Sequence, residues 1–348
     1  MKITRPKFVR TIEALSKALS NQLGKRRYVL LTDDTVGEVC LPLLSEFLGA
    51  NSPLDIIEVE AGEACKAPEV CVQLWSHLLQ LGITKSDVLV CLGGGSVTDL
   101  GGFVAATYKR GIPVVFIPTT VLAMTDASIG GKNGIDFEGV KNAVGTIIQP
   151  ESVLVYTGFA DTLSEEQYLS GFAEIVKHGI IGGNPLWKDL EKYINKRRAL
   201  DERLLRKSVD VKLIIVTKDP FENGDRRILN VGHSIGHAIE SAFLKNGQSV
   251  EHGIAVAMGI LVELKLSLRL KRISEKDAFS IARVLQDWFG HVLPSFPDWS
   301  QIEPFLIHDK KTNSKKILLP LPISIGHVEI VDFGRWALLK DVYNQFVD

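Results

Sequence analysis

The chain lacks most of the features that assign a protein to a specialised class at once. Its 348 residues include only four cysteines, Cys40, Cys65, Cys71 and Cys91. None belongs to a CxxC pair, and three lie in or beside apolar stretches where a small thiol packs well, so a disulfide framework is not expected. No segment reaches the roughly 18 uncharged apolar residues that a bilayer-spanning helix needs. Met1 to Leu19 interleaves lysine and arginine with apolar residues and lacks the continuous apolar run of a secretory signal. Charge of one sign is missing too: the formal net charge of -1 gives no overall field to gather nucleic acid or an anionic membrane. Low-complexity segments and internal repeats are absent. These absences point to a soluble protein of a reducing cytoplasm, binding neither nucleic acid nor membrane, in which any specificity for anions is built locally.

What is present is a change of period along the chain. Tyr28 to Thr32, Asp55 to Val59, Val88 to Leu92, Val114 to Pro118 and Val153 to Tyr156 are short β-branched runs. Val36 to Leu48 and Pro68 to Leu81 carry apolar residues at helical spacing, closed by Gly49 and Gly82. That alternation predicts βα units around a parallel sheet. From about Ser164 the apolar residues recur at three and four positions through Leu169 to Ile181, Leu186 to Ile194, Leu204 to Val216, Gly232 to Leu244 and Gly253 to Leu270. The expected fold is an α/β, Rossmann-like domain over residues 1–160 followed by a mostly α-helical domain over 161–348. A chain of this length suits two cores better than one.

Several segments carry residues suited to chemistry. Val88 to Leu92 runs into Gly93, Gly94, Gly95 and Ser96 and then into Val97 to Ala106, a strand, glycine turn and helix in that order. Glycines let backbone approach a phosphate, and the free N–H groups of a helix start face its charge. The spacing is not GxGxxG, and a tight turn needing positive φ explains the glycines equally well. His233 and His237 lie four apart on a helical stretch and so project from one face, as many histidine pairs without a metal also do. Glu174 and Lys177 share one side of another helix, and His252 stands where a loop enters a third. A carboxylate with two imidazoles fills three positions of a zinc-like site and leaves one open for substrate. Arg110, Lys132, Lys141, Lys177, Lys212, Arg226 and Lys310 stand among small, glycine-rich or helix-start residues. Gly130-Gly131-Lys132 and Lys141-Asn142 look like loops shaped to approach a ligand. Around one pocket such cations suit a substrate bearing carboxylate and phosphate. Taken singly, each is equally compatible with a solvated surface charge.

Taken together, these segments resemble the 3-dehydroquinate synthase family of sugar-phosphate cyclases. The resemblance is carried, in the family's order, by Gly93 to Asp99, Arg110-Gly111, Pro118 to Thr120, Asp126 to Lys132, Lys141-Asn142, Glu174 to Lys177, Lys212, Gly224 to Arg226, Leu229 to Glu240, His252-Gly253 and Asp309 to Lys311. It implies an NAD domain, a helical metal domain, an active site in the cleft between them, and a homodimer. By position it implies Glu174, His233 and His252 as ligands of a divalent metal, normally zinc and sometimes cobalt. Contacts to NAD fall by the same resemblance on Asp99, Thr119, Thr120, Asp126, Lys141, Thr162 and Gln167, beside the glycine turn, with Glu63 and Lys66 at the outer part of that site. Arg110, Lys132, Asn142, Lys177, Lys212, Arg226, Asn230, His237 and Lys310 match groups that grip a sugar phosphate or move protons.

The implied reaction turns 3-deoxy-D-arabino-heptulosonate 7-phosphate into 3-dehydroquinate and phosphate, the second step of the shikimate route to aromatic amino acids. A transient oxidation by NAD acidifies the neighbouring C–H, phosphate leaves, the hydride returns, and an aldol closure forms the ring. Two departures stand out. Ile254 replaces the glutamate that normally follows His-Gly, a carboxylate of the sort that orients a metal-bound imidazole, and Glu251 is the neighbouring carboxylate able to compensate. Asn133 stands where threonine is usual. Three rival readings are a cyclase acting on sedoheptulose 7-phosphate or glucose 6-phosphate, an iron-dependent alcohol or glycerol dehydrogenase, and a non-catalytic homologue. Asn230 keeps the dehydroquinate-type amide and argues against the first.

Overall fold

The computed structural model describes residues 1–49, 52–193, 200–308 and 316–347. They divide into two compact units, one of residues 1–163 with a short stretch at 200–205, the other from Ser164 onward.

The first unit is built on a six-stranded parallel sheet of β1 (Lys7–Val9), β2 (Tyr28–Asp33), β3 (Asp55–Val59), β4 (Val88–Gly93), β5 (Val114–Pro118) and a strand at Ser152–Tyr156, here β8. The strands β6 (Lys132–Phe137) and β7 (Val140–Ile147) form a separate antiparallel hairpin. The sheet order is β1-β8-β5-β4-β2-β3. β2, β4 and β5 are buried at every position, as expected for parallel strands covered on both faces, whereas edge strand β3 is buried on neither face completely. Five helices accompany the strands: α1 (Ile12–Leu23), α2 (Asp34–Val39), α3 (Leu41–Leu48), α4 (Pro68–Gln80) and α5 (Gly95–Thr107). Because β3 lies on one side of β2 and β4 on the other, the chain reverses its direction of travel between β2 and β4. Ligands of open α/β sheets bind at the carboxyl ends of strands at such a reversal. The glycine turn follows β4 at that end.

Three local differences from the sequence reading have physical causes. The single helix expected over Val36 to Leu48 is two, interrupted at Cys40, because Pro42 enters the first turn of α3 and has no N–H to continue α2. Gly130 (φ 97°) and Gly131 (φ 76°) form a bend as expected, but Lys132 opens β6 and Lys141-Asn142 lies in β7, so the second of the two expected loops is a strand of the β6–β7 hairpin. Glu138 (φ 48°) and Gly139 (φ 77°) make its tight turn, and the register shifts between Ile135 and Phe137. The very short β1 carries too few residues to show a period.

The second unit holds α6 (Glu165–Gly182), α7 (Leu186–Tyr193), most of α8 (Glu202–Lys218), α9 (His233–Lys245), α10 (His252–Arg269), α11 (Glu275–Phe289), α12 (Trp299–His308) and α13 (Trp336–Tyr343). It also has an antiparallel pair, β9 (Ile317–Ser324) and β10 (His327–Phe333), which the helical reading missed. Pro320 and Pro322 inside β9 argue against a strand in sequence, and a two-stranded ribbon tolerates them because it has free edges. Its core joins Ile235, Ile239, Met258 and Val262 of α9 and α10 to Leu319 and Leu321 of β9.

α10 runs unusually close to two neighbours. A Cβ added at Gly253 would stand 1.8 Å from the Ser170 carbonyl oxygen of α6, and one at Gly259 would stand 2.0 Å from the carbonyl oxygen of Gly232, which precedes α9. One at Gly236 of α9 would meet the Ala255 carbonyl oxygen of α10 at 2.8 Å. Backbone to backbone packing of this kind is open only to glycine. Gly259→Ala is therefore expected to lower unfolding free energy by about 1–3 kcal/mol through overpacking, read as a lower urea midpoint at unchanged m-value.

Candidate active site

Helix geometry brings the sequence-selected metal residues of the second unit together. Glu174 lies on α6 beside the Gly253 contact, and His233 and His252 are the first residues of α9 and α10. The positive helix ends disfavour imidazolium at both positions. Glu174 is fully buried, and neither carboxylate oxygen accepts a hydrogen bond of normal geometry from the described residues, although the Lys177 ammonium pairs with Oε2. Its Oε1 lies 3.6 Å from His233 Nε2 and 3.8 Å from His252 Nε2. Ligands at zinc bond lengths in a tetrahedron stand about 3.4 Å apart, so these separations suit a shared cation. Lys177 answers Oε2, whereas Oε1, buried and without a hydrogen-bond partner among the described residues, still faces the two imidazoles. The residues therefore fit a divalent metal.

The imidazoles are prepared differently. Burial, reinforced by Lys177, His237 and His252, holds His233 well below the usual histidine range, so it is neutral. Its Nδ1 sits 3.1 Å from the Val231 carbonyl oxygen and donates to it, leaving the Nε2 lone pair towards Glu174. For His252, burial works against the charged form, but Glu240, bonded to Nδ1 at 3.3 Å, and Glu174 outweigh it, and the net shift is upward. Glu240 is the carboxylate that orients this ring. Glu251, the neighbour expected to replace the missing family glutamate, is instead raised by burial and by Glu166 and Glu240, and bonds to Ser170. Ile254 itself is packed in α10 with 3% of its surface exposed. The sequence contained a signal for Glu240: His233, His237 and Glu240 fall at i, i+4 and i+7, one face of α9. His237 belongs to the same imidazole group, its ring 5.3 Å from that of His233 and 5.4 Å from that of His252. Its donor nitrogen lies within 4.8 Å of theirs.

Other residues of this unit line up by type. Lys177, Lys212 and Arg226 are all buried cations, and Arg226 Nη1 donates to the Pro220 carbonyl oxygen at 2.6 Å. Asn230 Nδ2 donates to Glu222 Oε1 at 3.0 Å, a carboxylate that sequence reasoning passed over. Gln167 closes a capping box with Ser164 at the start of α6, so its side-chain oxygen accepts from the Ser164 N–H. His178 is buried, with Nδ1 2.8 Å from Ser208 Oγ. Lys310 lies outside the described residues.

In the first unit the glycine turn leads from β4 into α5, with Gly94 at the cap and no side chain satisfying the first N–H groups. A Cβ at Gly94 would stand 3.1 Å from Thr120 Cγ2, and one at Gly95 3.3 Å from Ala127 Cβ, so side chains there would fill the turn beside half-buried Ser96. Thr119 follows β5, its N–H bonded to the Gly93 carbonyl oxygen at 3.0 Å, and Thr120 Oγ1 accepts from the Ala123 N–H at 3.1 Å at the start of the turn carrying Asp126. Thr162 Oγ1 donates to the Phe159 carbonyl oxygen. Lys66 is 2% exposed and reaches Asp99 Oδ2 at 3.1 Å, Asn142 Oδ1 at 2.5 Å and Glu63 Oε2 at 3.4 Å. Burial opposes the ammonium, yet Asp99, Glu63 and Asp136 outweigh it and raise it. Asp136 also accepts the Asn142 N–H at 2.7 Å, which fixes Asn142 at φ 52°. Lys132 and Lys141 are exposed on the hairpin, and Arg110 is exposed after α5 in a left-handed turn (φ 65°) before Gly111. The structure thus gathers Glu63, Lys66, Asp99 and Asn142 into one cluster.

Two family models match, 3-dehydroquinate synthase N-terminal over residues 56–170 and 3-dehydroquinate synthase C-terminal over residues 171–312. The chain belongs to the 3-dehydroquinate synthase family. A 3-dehydroquinate synthase of Pyrococcus abyssi is 35% identical over 325 residues, covering 93% of this chain and 94% of that one. Among solved structures, a 2-deoxy-scyllo-inosose synthase complexed with carbaglucose-6-phosphate, NAD+ and Co2+ superposes with a TM-score of 0.88 at 24% identity over 99% of both chains. A 2-epi-5-epi-valiolone synthase from Streptomyces hygroscopicus with NAD+ and Zn2+ bound gives 0.86 at 25% identity, over 99% of this chain and 98% of that one. Within this 3-dehydroquinate synthase family member, Glu240 is the support of His252 that the structure adds. Glu240→Ala is expected to weaken zinc binding about 10- to 100-fold in competition with a chromophoric chelator, with the fold retained by circular dichroism.

Proposed function

We propose that this enzyme converts 3-deoxy-D-arabino-heptulosonate 7-phosphate to 3-dehydroquinate and phosphate, with Glu174, His233 and His252 holding a divalent metal, zinc or cobalt, and the first unit binding NAD. The observation that carries the proposal is the buried Glu174 carboxylate with two imidazole nitrogens against one oxygen, in a chain that matches the family over both its parts.

When bound, NAD supplies a hydride acceptor that later returns the hydride, and the metal a Lewis acid for the hydroxyl being oxidised. The chain's own groups do the rest. The glycine turn offers the N–H groups of Gly95 and Ser96 to a pyrophosphate, beside Thr119, Thr120 and Asp126. The Lys66, Asp99 and Glu63 cluster fixes acceptor oxygens in place for the cofactor's hydroxyls, with Lys141, Thr162 and Gln167 completing the proposed contacts. Lys177 places its ammonium against Glu174 Oε2 and so offsets the carboxylate's charge at a fully buried position. Lys212 and Arg226 present buried positive charge to the carboxylate and phosphate of the substrate, where low dielectric strengthens each pairing. Arg110, Lys132, Asn142 and Lys310 are proposed for the same anionic groups. Glu222 accepts from Asn230 Nδ2 and so fixes the orientation of the amide, whose Oδ1 then accepts from a substrate hydroxyl. His237, exposed and next to the other two rings, is placed to take and return a proton. The family reading extends the proposal to a homodimer in the cytoplasm. No helix among the described residues is long and apolar enough to cross a membrane.

The decisive assay follows phosphate release from the heptulosonate phosphate by purified protein. Release is expected, lost on chelation and restored by zinc. Turnover of sedoheptulose 7-phosphate or glucose 6-phosphate in its place would establish the related cyclase, and no release from any of the three a non-catalytic homologue. Glu174→Ala is expected to bind zinc well below stoichiometry by elemental analysis and to release phosphate at least about 100-fold more slowly. Full zinc retention would remove Glu174 from the ligand set.

A further inference from the structure

Glu263 is a charged-type residue in the middle of α10, about three turns beyond His252, and it is fully buried. Its Oε2 accepts the Gly232 N–H at 2.7 Å, while Oε1 has no partner among the described residues. Gly232 is the residue from which α9 starts, and it is held in the left-handed region at φ 79°, ψ -17°. A side chain there would run into the Val256 carbonyl oxygen at 2.6 Å and Ile260 Cγ1 at 2.5 Å. The N–H groups at a helix start have no partner in their own helix, and in a buried start each one left unpaired costs about 1–3 kcal/mol. Water and a capping side chain, the usual partners, are replaced here by a carboxyl from the neighbouring helix. The position is also fixed in direction. The Gly232 carbonyl oxygen faces the Cα of Gly259, and its N–H faces Glu263, so α10 grips the Gly232 peptide units on both sides. His233 follows immediately, with its Nδ1 bonded to the Val231 carbonyl oxygen on the other side of the same turn.

We propose that Glu263 is a positioning residue for His233: by accepting the Gly232 N–H it locks the left-handed turn that aims the His233 Nε2 lone pair at the space between Glu174 and His252. The inference rests on the metal reading of those three residues. Among the described residues the hydrogen bond of Glu263 goes to the Gly232 N–H, so it acts on His233 through the backbone. Burial holds its carboxyl well above the usual carboxylate range, while the Gly232 N–H that it accepts pulls the other way. What α10 supplies to the metal group is therefore both a ligand, at its first residue, and the brace for a ligand on α9.

The test uses the full chain and Co2+ alone, read by the visible absorption of the bound ion and by competition with a chelator. Glu263→Met fills the volume without an acceptor, and Glu263→Gln keeps an acceptor oxygen. Glu263→Met is expected to weaken cobalt binding at least about tenfold and to change the visible bands, whereas Glu263→Gln stays within about threefold of the unsubstituted protein with unchanged bands. Thermal melts of the metal-free proteins show whether each variant folds. If Glu263→Met does not fold, Glu263→Gln decides alone: retention of affinity and spectrum supports the proposal, and a tenfold loss overturns it. Glu263→Met binding cobalt like the unsubstituted protein, or Glu263→Gln losing as much as Glu263→Met, overturns it too. A failure of the ligand assignment is separately visible, because then Glu174→Ala would bind cobalt as tightly as the unsubstituted protein, and the inference about Glu263 would fall with it.

Discussion

The close approach of α10 to α6 and α9 is the constraint on which the candidate site depends. Three donor groups from three helices meet only if the helix axes come nearer than ordinary side chains allow, and Gly253, Gly236 and Gly259 are the residues that permit it. The proposed ligands sit at the ends of the same contacts: His252 precedes Gly253, His233 follows Gly232, and Glu174 stands one helical turn beyond Ser170. A site built this way places its precision in backbone packing, which is stiff, and asks little of side-chain rotamers. With the buried Ile254 in place of the family's usual glutamate, the carboxylate that meets the ring of His252 is Glu240 of α9, across the glycine contact.

The first unit solves a different problem. Lys66 is buried among acidic and amide oxygens, an arrangement whose desolvation is expensive unless every partner stays in place. The β6–β7 hairpin supplies two of those partners, Asp136 and Asn142, so the hairpin and α5 are tied through one ammonium. Ordering a charged cluster before a ligand arrives reduces what the ligand must organise on binding.

Much of this was legible in the sequence, and the limits have identifiable causes. The five longer strands of the sheet show as short β-branched runs, because burial on both faces makes a parallel strand continuously apolar, and the helices bearing Glu174, His233 and His252 show in apolar residues at helical spacing. The hairpin did not show, since β7 is exposed over most of its length and has no apolar face to alternate. β9 was masked by its prolines. At the site, residue types pointed to a metal, but a histidine pair and a helix carboxylate are common, and only the ordered set of family motifs joined them. Glu240 was within reach of helical periodicity. Glu263 was not: a glutamate in an apolar helix gives no sign of which backbone it will meet, and its partner lies 31 positions away.

Every donor atom proposed for the metal comes from the second unit, whereas the glycine turn and the Lys66 cluster belong to the first. A metal at a thousand times its dissociation constant adds about 4 kcal/mol to the stability of whatever folds around it. On the proposed assignment that increment falls on the helical unit, which carries Glu174, His233 and His252. Starving the protein of metal then withdraws stability from the helices that carry the proposed ligands, α6 and the first turns of α9 and α10.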